Sequence, residues 1–253
     1  MKKTVTIEVL YPEFNNLYGD RGNLLYLQRK LSASRCEIKV IETHLFDEPA
    51  FVKREDVDFL YIGPCTEAQQ ELELQQLIPY KEAISERIQS GKITLATGNA
   101  FELFGQYIER ENGETIPALG LFEFKAKRFE KLRYNDLCLG EIVLEEEVYQ
   151  ITGFKNQLSH AYGLIEQPFL NMVKGCGWNP KEKQEGIRVQ NFFATYLIGP
   201  ILPLNPDFTE YLAKKLVGKD YAPCRIPYEQ MAYACRVADI TNPLNDKKKK
   251  KKH

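Results

Sequence analysis

Histidine is scarce in this chain of 253 residues: only His44, His160 and His253 occur, in no ligand-like spacing. A histidine-built metal centre therefore has no support, and neither a metal nor another cofactor is assigned. The six cysteines are scattered, with no C-x-x-C pair. That excludes a zinc ribbon or a compact disulfide framework and points to a reducing cytoplasm. No stretch approaches the roughly 18 consecutive apolar residues of a membrane span. An excess of one charge is also missing, because 34 Lys and Arg stand against 35 Asp and Glu. The whole-molecule field thus gives no reason to expect nucleic acid as the partner.

What is present is enough for a sizeable core. Hydrophobic residues make up 43% of the chain and charged residues 27%, ordinary values for a globular protein of this length. Met1-Lys2-Lys3 looks like the head of a signal peptide, but Thr4 to Leu10 alternates in polarity and includes Glu8. That segment reads as a first strand. At the other end, Lys247 to Lys252 is a like-charge block. The expected organisation is one domain over residues 1–240 and a solvated, disordered lysine-rich tail over 241–253.

Apolar β-rich runs alternate with helical patterns over the first hundred residues, as in βαβ units on a parallel sheet. Strands are expected at Thr4 to Leu10, Cys36 to Ile41, Val57 to Ile62 and Lys92 to Ala96. Leu24, Leu27 and Leu31 recur at helical spacing, and Thr66 to Ser90 is helical with a break at Pro79. The strand ending at Ala96 runs through Thr97-Gly98-Asn99-Ala100 into a helical Phe101 to Ile108. So short a turn between strand and helix predicts an elbow. Leu121 to Phe154 suggests antiparallel additions to the sheet. Phe193 to Leu197 reads as a further strand, and Asn205-Pro206 as the cap and first turn of a helix. A last helix is expected from Tyr228 to Ala238, with Tyr228, Met231, Ala232 and Cys235 on one face.

Four segments in order resemble the class I glutamine amidotransferases related to cobyric acid synthase, in particular the amidotransferase subunit of lipid II isoglutaminyl synthase. Leu10-Tyr11-Pro12 with Asn16-Leu17-Tyr18-Gly19-Asp20-Arg21-Gly22-Asn23 is similar to that family's L-Y-P and N-L-Y-G-D-R-G-N. Ile62-Gly63-Pro64-Cys65-Thr66 falls where the family has a G-G-G loop. Leu95 to Gly105 resembles its nucleophile elbow, L-A-I-C-G-G-Y-Q-L-L-G, and Ala194 to Pro206 its G-T-Y-L-H-G-P-L-L-P-x-N-P. The resemblance implies a flavodoxin-like α/β fold with a mainly parallel central sheet, helices on both faces and some antiparallel additions.

The chemistry-bearing positions depart from the pattern. Gly98 stands where the family has its cysteine nucleophile, and glycine offers no atom to attack a carbonyl. Ile198 stands at the histidine, and an aliphatic chain can move no proton. Pro64 brings no N–H to the former oxyanion loop of Gly63, Pro64 and Cys65. Gly153-Phe154-Lys155-Asn156-Gln157 resembles the family's G-F-E-N-H, with only Asn156 kept. The glutamine-binding arginine is absent near Asp136 and Leu137, although Arg133 is close by. Asn99 also replaces a glycine, which predicts an elbow relaxed out of its strained conformation.

These departures imply a catalytically degenerate glutaminase. Asn99, Asn156 and Gln157 are its pocket candidates, and Tyr18, Asp20, Arg21 and Asn23 its loop candidates, with Asp20 and Arg21 pairing or presenting charge at the strand's end. The resemblance implies a protein partner, a Mur-ligase-like subunit or another amide-forming enzyme, in peptidoglycan synthesis. Two alternatives stand beside it. Gly98 and Ile198 would enlarge and dry the cleft, making a small-molecule binding module, or Cys65 at a helix N-terminus would become a depressed-pKa nucleophile of new chemistry.

Overall fold

The structure is a computed structural model that describes residues 3–129, 131, 133–164 and 166–243. The lysine run and most of the expected tail lie outside these residues. Strands β1 (Thr4–Leu10), β2 (Glu37–Thr43), β3 (Phe59–Ile62) and β4 (Ile93–Thr97) join β13 (Ile187–Val189) and β14 (Phe192–Thr195) in the main sheet. Its order is β13-β14-β4-β3-β1-β2, all parallel except for antiparallel β13. Near-continuous apolar runs form the central strands because both faces are covered: β3, β4 and β14 are buried throughout. By contrast β2 is mostly exposed, and the charged Glu37, Lys39 and Glu42 guard its open edge.

Helices α1 (Gly22–Leu31), α5 (Ile201–Leu204) and α6 (Pro206–Val217) cover one face; α3 (Glu67–Leu77) and α4 (Lys81–Gln89) cover the other. The short α2 (Ala50–Lys53) precedes β3. On the first face Leu24, Leu27 and Leu31 pack with Val5, Ile7, Phe208 and Leu212. On the second Leu74, Ile84 and Phe101 pack with Leu60, Ile62 and Phe192. Burying each such side chain contributes about 1.5–3 kcal/mol. As expected, the helical stretch is divided at Pro79, by a 3-10 turn over Ile78–Tyr80. A Thr66/Gln69 capping box starts α3.

The antiparallel strands do not extend the main sheet at Leu121 to Phe154, as the sequence suggested. They build two further four-stranded sheets. One runs β10-β7-β5-β6, from β5 (Tyr107–Glu109), β6 (Thr115–Pro117), β7 (Phe124–Arg128) and β10 (Ser159–Gly163). The other runs β12-β11-β8-β9, from β8 (Tyr134–Leu144), β9 (Glu147–Gln157), β11 (Leu170–Lys174) and β12 (Gln184–Glu185). Three other expectations are corrected. The helix after β4 is a 3-10 helix over Gly98–Phe104, because residues 107–109 are drawn off to pair with β6 and β7. Asn205 stands at the N-cap of α6 as expected, but its side chain makes no cap; the carboxamide exchanges hydrogen bonds with the Thr152 backbone, tying the helix to β9. Helix α7 (Glu229–Thr241) runs into the segment assigned to the tail, and Tyr228, Met231, Ala232 and Cys235 face solvent.

The chain leaves β1 toward β2 on one side and then toward β3, β4 and β14 on the other. A crevice opens at such a switch point, beyond the strands' carboxyl ends. The segments of interest converge there.

Candidate functional site

The loops after β3, β4 and β14 and the turn preceding α1 enclose a cavity of about 180 Å³. Tyr18, Pro64, Cys65, Gly98, Asn99, Arg133, Asn156, Gln157 and Ile198 all line it. Residues from six separate stretches of sequence are thus brought to one place. Leu17, Thr66, Glu67, Leu158, Ser159 and Tyr196 complete the wall. None of these six was singled out as a site residue, although the Thr66-x-x-Gln69 capping pattern marks a helix start that fixes Thr66 and Glu67.

The elbow keeps its tension. Gly98 has φ +62°, the left-handed conformation that a side chain resists. The expected relaxation does not occur, because the parallel pairing of β3, β4 and β14 fixes the strand end that feeds the turn. What has closed is the space above it. A Cβ on Gly98 would lie 2.6 Å from Pro64 Cβ and 3.2 Å from Ile198 Cγ2. The substitutions therefore do not enlarge the cleft at this point; Pro64 and Ile198 fill the volume a nucleophilic side chain would need. Ile198 is only 2% exposed, and its backbone is pinned to Phe154 by two hydrogen bonds, N–H to O at 2.9 Å and the reverse at 3.0 Å.

The loop after β3 is also occupied. Asn99 Oδ1 accepts from the Cys65 N–H at 3.1 Å, and Asn99 Nδ2 donates to the Cys65 carbonyl at 2.9 Å. Gln70 Nε2 donates to the Asn99 carbonyl at 2.6 Å, and Gln70 Oε1 accepts from Arg128 at 2.7 Å. Cys65 is nearly buried, and burial followed by the neighbouring Glu73 pushes its thiol far above the usual range. Burial first, and the acidic neighbour after it, thus work against a depressed-pKa nucleophile at this position. Glu73 itself is pushed up to about 8, by burial above all, with Cys65 and Asn15 against it.

Below the elbow lies a buried polar cluster in which Asp20 Oδ1 alone of the carboxylate's two oxygens lacks a hydrogen-bond partner among the described residues. Asp20 is fully buried; its Oδ2 accepts from Thr97 Oγ1 at 2.5 Å and from the Tyr61 hydroxyl. Asn23 Nδ2 donates to the Tyr61 oxygen at 3.0 Å, and Asn23 Oδ1 accepts from the Leu202 N–H at 2.7 Å. Burial pushes the Asp20 carboxyl up to about 6. Gly63 sits directly over this cluster, where a Cβ would come within 2.9 Å of the Asn15 carbonyl and 3.1 Å of Asp20 Oδ2. Asp20 and Asn23 thus brace the strand ends from beneath. They do not present charge to the cavity as the loop sequence suggested. Arg21 turns away to pair with Glu42 at 3.1 Å, so only Tyr18 of the four loop candidates lines the cavity.

The opposite rim carries the cavity's free-standing polarity. Arg133 Nη1 donates to Asn156 Oδ1 at 2.8 Å, so the arginine that sequence placed only nearby is one of the lining residues. Gln157 is buried and turns its Nε2 to the Ser159 carbonyl at 2.6 Å. Lys155, in the place of the family's glutamate, is fully buried and donates to the Gly177 carbonyl at 2.6 Å, with Glu185 at 3.5 Å. That lysine holds the wall together and is not among the residues that line the cavity.

Two curated proteins are similar over most of their length. The lipid II isoglutaminyl synthase (glutamine-hydrolyzing) subunit GatD of Staphylococcus aureus is 29% identical over 204 residues, covering 79% of this chain and 79% of that protein. Its counterpart from Streptococcus pneumoniae is 29% identical over 224 residues, covering 86% and 82%. A glutamine amidotransferase structure from Thermotoga maritima aligns over 93% of this chain and 97% of that one, with a TM-score of 0.46 and 9% identity. Residues 6–206 match the CobB/CobQ-like glutamine amidotransferase domain, and with the parallel sheet, the elbow at Gly98 and the crevice at the switch point in place, this chain belongs to that family.

Proposed function

We propose that this chain is a catalytically silent glutamine amidotransferase subunit, acting as a structural or regulatory partner of a Mur-ligase-like or other amide-forming enzyme. The observation that carries this reading is the closed elbow: Gly98 supplies no nucleophile, and Pro64 and Ile198 fill the space above it. Hydrolysis of a side-chain amide by this family's chemistry needs a thiolate and a group to move its proton, and such residues act as a unit. Neither is at its position, and Cys65 is raised rather than activated. The curated relatives are subunits by name and belong to lipid II amidation. A cytoplasmic role in peptidoglycan synthesis is the corresponding assignment for this chain. Among the described residues no helix is long and apolar enough to cross a membrane.

The test is ammonia release from L-glutamine by the purified protein, alone and with the ligase-like protein of its host. The silent reading expects none in either case, together with co-purification of the two. Ammonia release by the protein that was lost in Cys65→Ala, or a strictly solitary protein, would count against it. A second reading, a small-molecule binding module, draws on the cavity that remains between Arg133, Asn156 and Tyr18. Ligand-dependent stabilisation in the absence of any protein partner would favour it.

A further inference from the structure

Between the turn after β1 and helix α3 lies a set of buried oxygens that bond to nothing. Glu73 of α3 is fully buried, and neither of its carboxylate oxygens has a hydrogen-bond partner among the described residues. The Tyr11 hydroxyl and Asn15 Oδ1, both buried, lack partners in the same way. These residues are neighbours. Tyr11 and Asn15 share one turn at the end of β1, where the Asn15 N–H donates to the Tyr11 carbonyl at 3.0 Å. Asn15 and Cys65 stand against the Glu73 carboxyl, and Glu73 is the charge that acts most strongly on Tyr11. Tyr11 is held there at φ +50°, a left-handed conformation that a bulky side chain resists.

Buried oxygens without partners cost free energy, and a buried charge costs more. No salt bridge offsets this cost: the charged side chains acting on Glu73, Tyr11 and Cys65 are Glu8, Glu13, Glu67, Glu102 and Glu73 itself, all acidic. A proton on Glu73 satisfies one oxygen, whereas a cation between the three residues is met by all of them. The donors are oxygens, the choice of hard cations. Among the described residues no group of three His, Cys, Asp or Glu could hold a metal ion, so a transition-metal centre is not what is built here. With one carboxylate in the set, a single positive charge balances it, and a divalent ion would leave buried charge unpaired.

We propose that Glu73, Asn15 and Tyr11 form a binding site for an alkali-metal cation, which ties the turn after β1 to helix α3. Because Cys65 adjoins Glu73 and also lines the cavity, the ion braces one wall of that cavity. The site serves no step of amide hydrolysis and stands whether or not the chain is silent.

The test is thermal melting of the full chain in potassium, sodium or choline chloride at equal ionic strength. Potassium or sodium should raise the melting temperature by a few degrees over choline, in a saturable way. An equal effect of all three salts would overturn the proposal, because screening alone does not distinguish them. Glu73→Gln removes the charge at nearly constant shape, and Tyr11→Phe removes one oxygen. The cation response should vanish in the first and move to higher salt in the second; an undiminished response in both would overturn the assignment. Should Glu73→Gln fail to fold, thallium(I) serves as a probe of the wild type. A bound thallium NMR resonance that potassium displaces, and that weakens in Tyr11→Phe, is the expected result. Its absence would leave only a proton or water among these oxygens and sink the idea.

Discussion

The two sides of the elbow have been treated differently. Beneath it, Asp20, Asn23, Tyr61 and Thr97 form a buried set of hydrogen bonds that tie the ends of β3 and β4 to the start of α1 and to Leu202. Above it, Pro64 and Ile198 occupy the space a side chain at Gly98 would need, and Asn99 has turned to bond the loop's own backbone. The lower side keeps polar groups that bond one another, and removing one leaves another buried and bare. The upper side has exchanged solvent-facing chemistry for packing. A strained turn can therefore persist without the reaction it suits, provided the strands that feed it remain tied together.

The sharpest way to break this contrast is to put the nucleophile back. Gly98→Cys should lower stability by about 2–4 kcal/mol, from a left-handed conformation imposed on a side chain and from overlap with Pro64. Denaturant titration measures the loss. Adding Pro64→Gly should return part of it by clearing the overlap, and a pair of losses that simply add would disprove the steric account. The lower side is next in size. Tyr61→Phe deprives Asp20 and Asn23 of a buried partner and should cost about 1–3 kcal/mol. A loss within error of zero would mean that the cluster does not brace the sheet.

Titration gives a smaller effect with a definite sign. Glu73 is raised from 4.5 to about 8 in the folded state, so it binds its proton more tightly there than in the unfolded chain. Its contribution is fully present below about pH 4.5 and is lost as pH rises through about 8. Cys65, Asn15, Tyr11 and Glu13 face this carboxyl. Glu73→Gln should flatten the fall in stability across that window, and an unchanged slope would reassign it to another group. At the small end stands Arg21→Ala. The Arg21–Glu42 pair is exposed on both sides, and its loss should stay within about 0.5 kcal/mol. A larger effect would place Arg21 with the brace beneath the elbow.

How much of this was readable from residues alone depended on the range of the cause. The elbow at Thr97-Gly98-Asn99 was legible because strand and helix leave almost no chain between them. The parallel sheet was legible because strands buried on both faces are apolar without interruption. The fate of Asp20 was not: whether a carboxylate in a loop faces solvent or a neighbouring strand is decided by Tyr61 and Thr97, 41 and 77 residues away. The overlap of Pro64 with position 98 is equally non-local. Asn99 gave a weak local signal, since asparagine in turns bonds nearby backbone, but its partner across the cleft could not be named. The 3-10 form of Gly98–Phe104 was missed because the competing strand at Tyr107–Glu109 is three residues long and visible only through its pairing.

The bridge between Ile198 and Phe154 has a practical meaning for protein engineering. Because main-chain atoms alone make it, the direction in which residue 198 projects is set whatever side chain is installed there. Position 198 is therefore a socket: a fluorophore-bearing, metal-chelating or photo-crosslinking residue placed there would enter the cavity along a known axis.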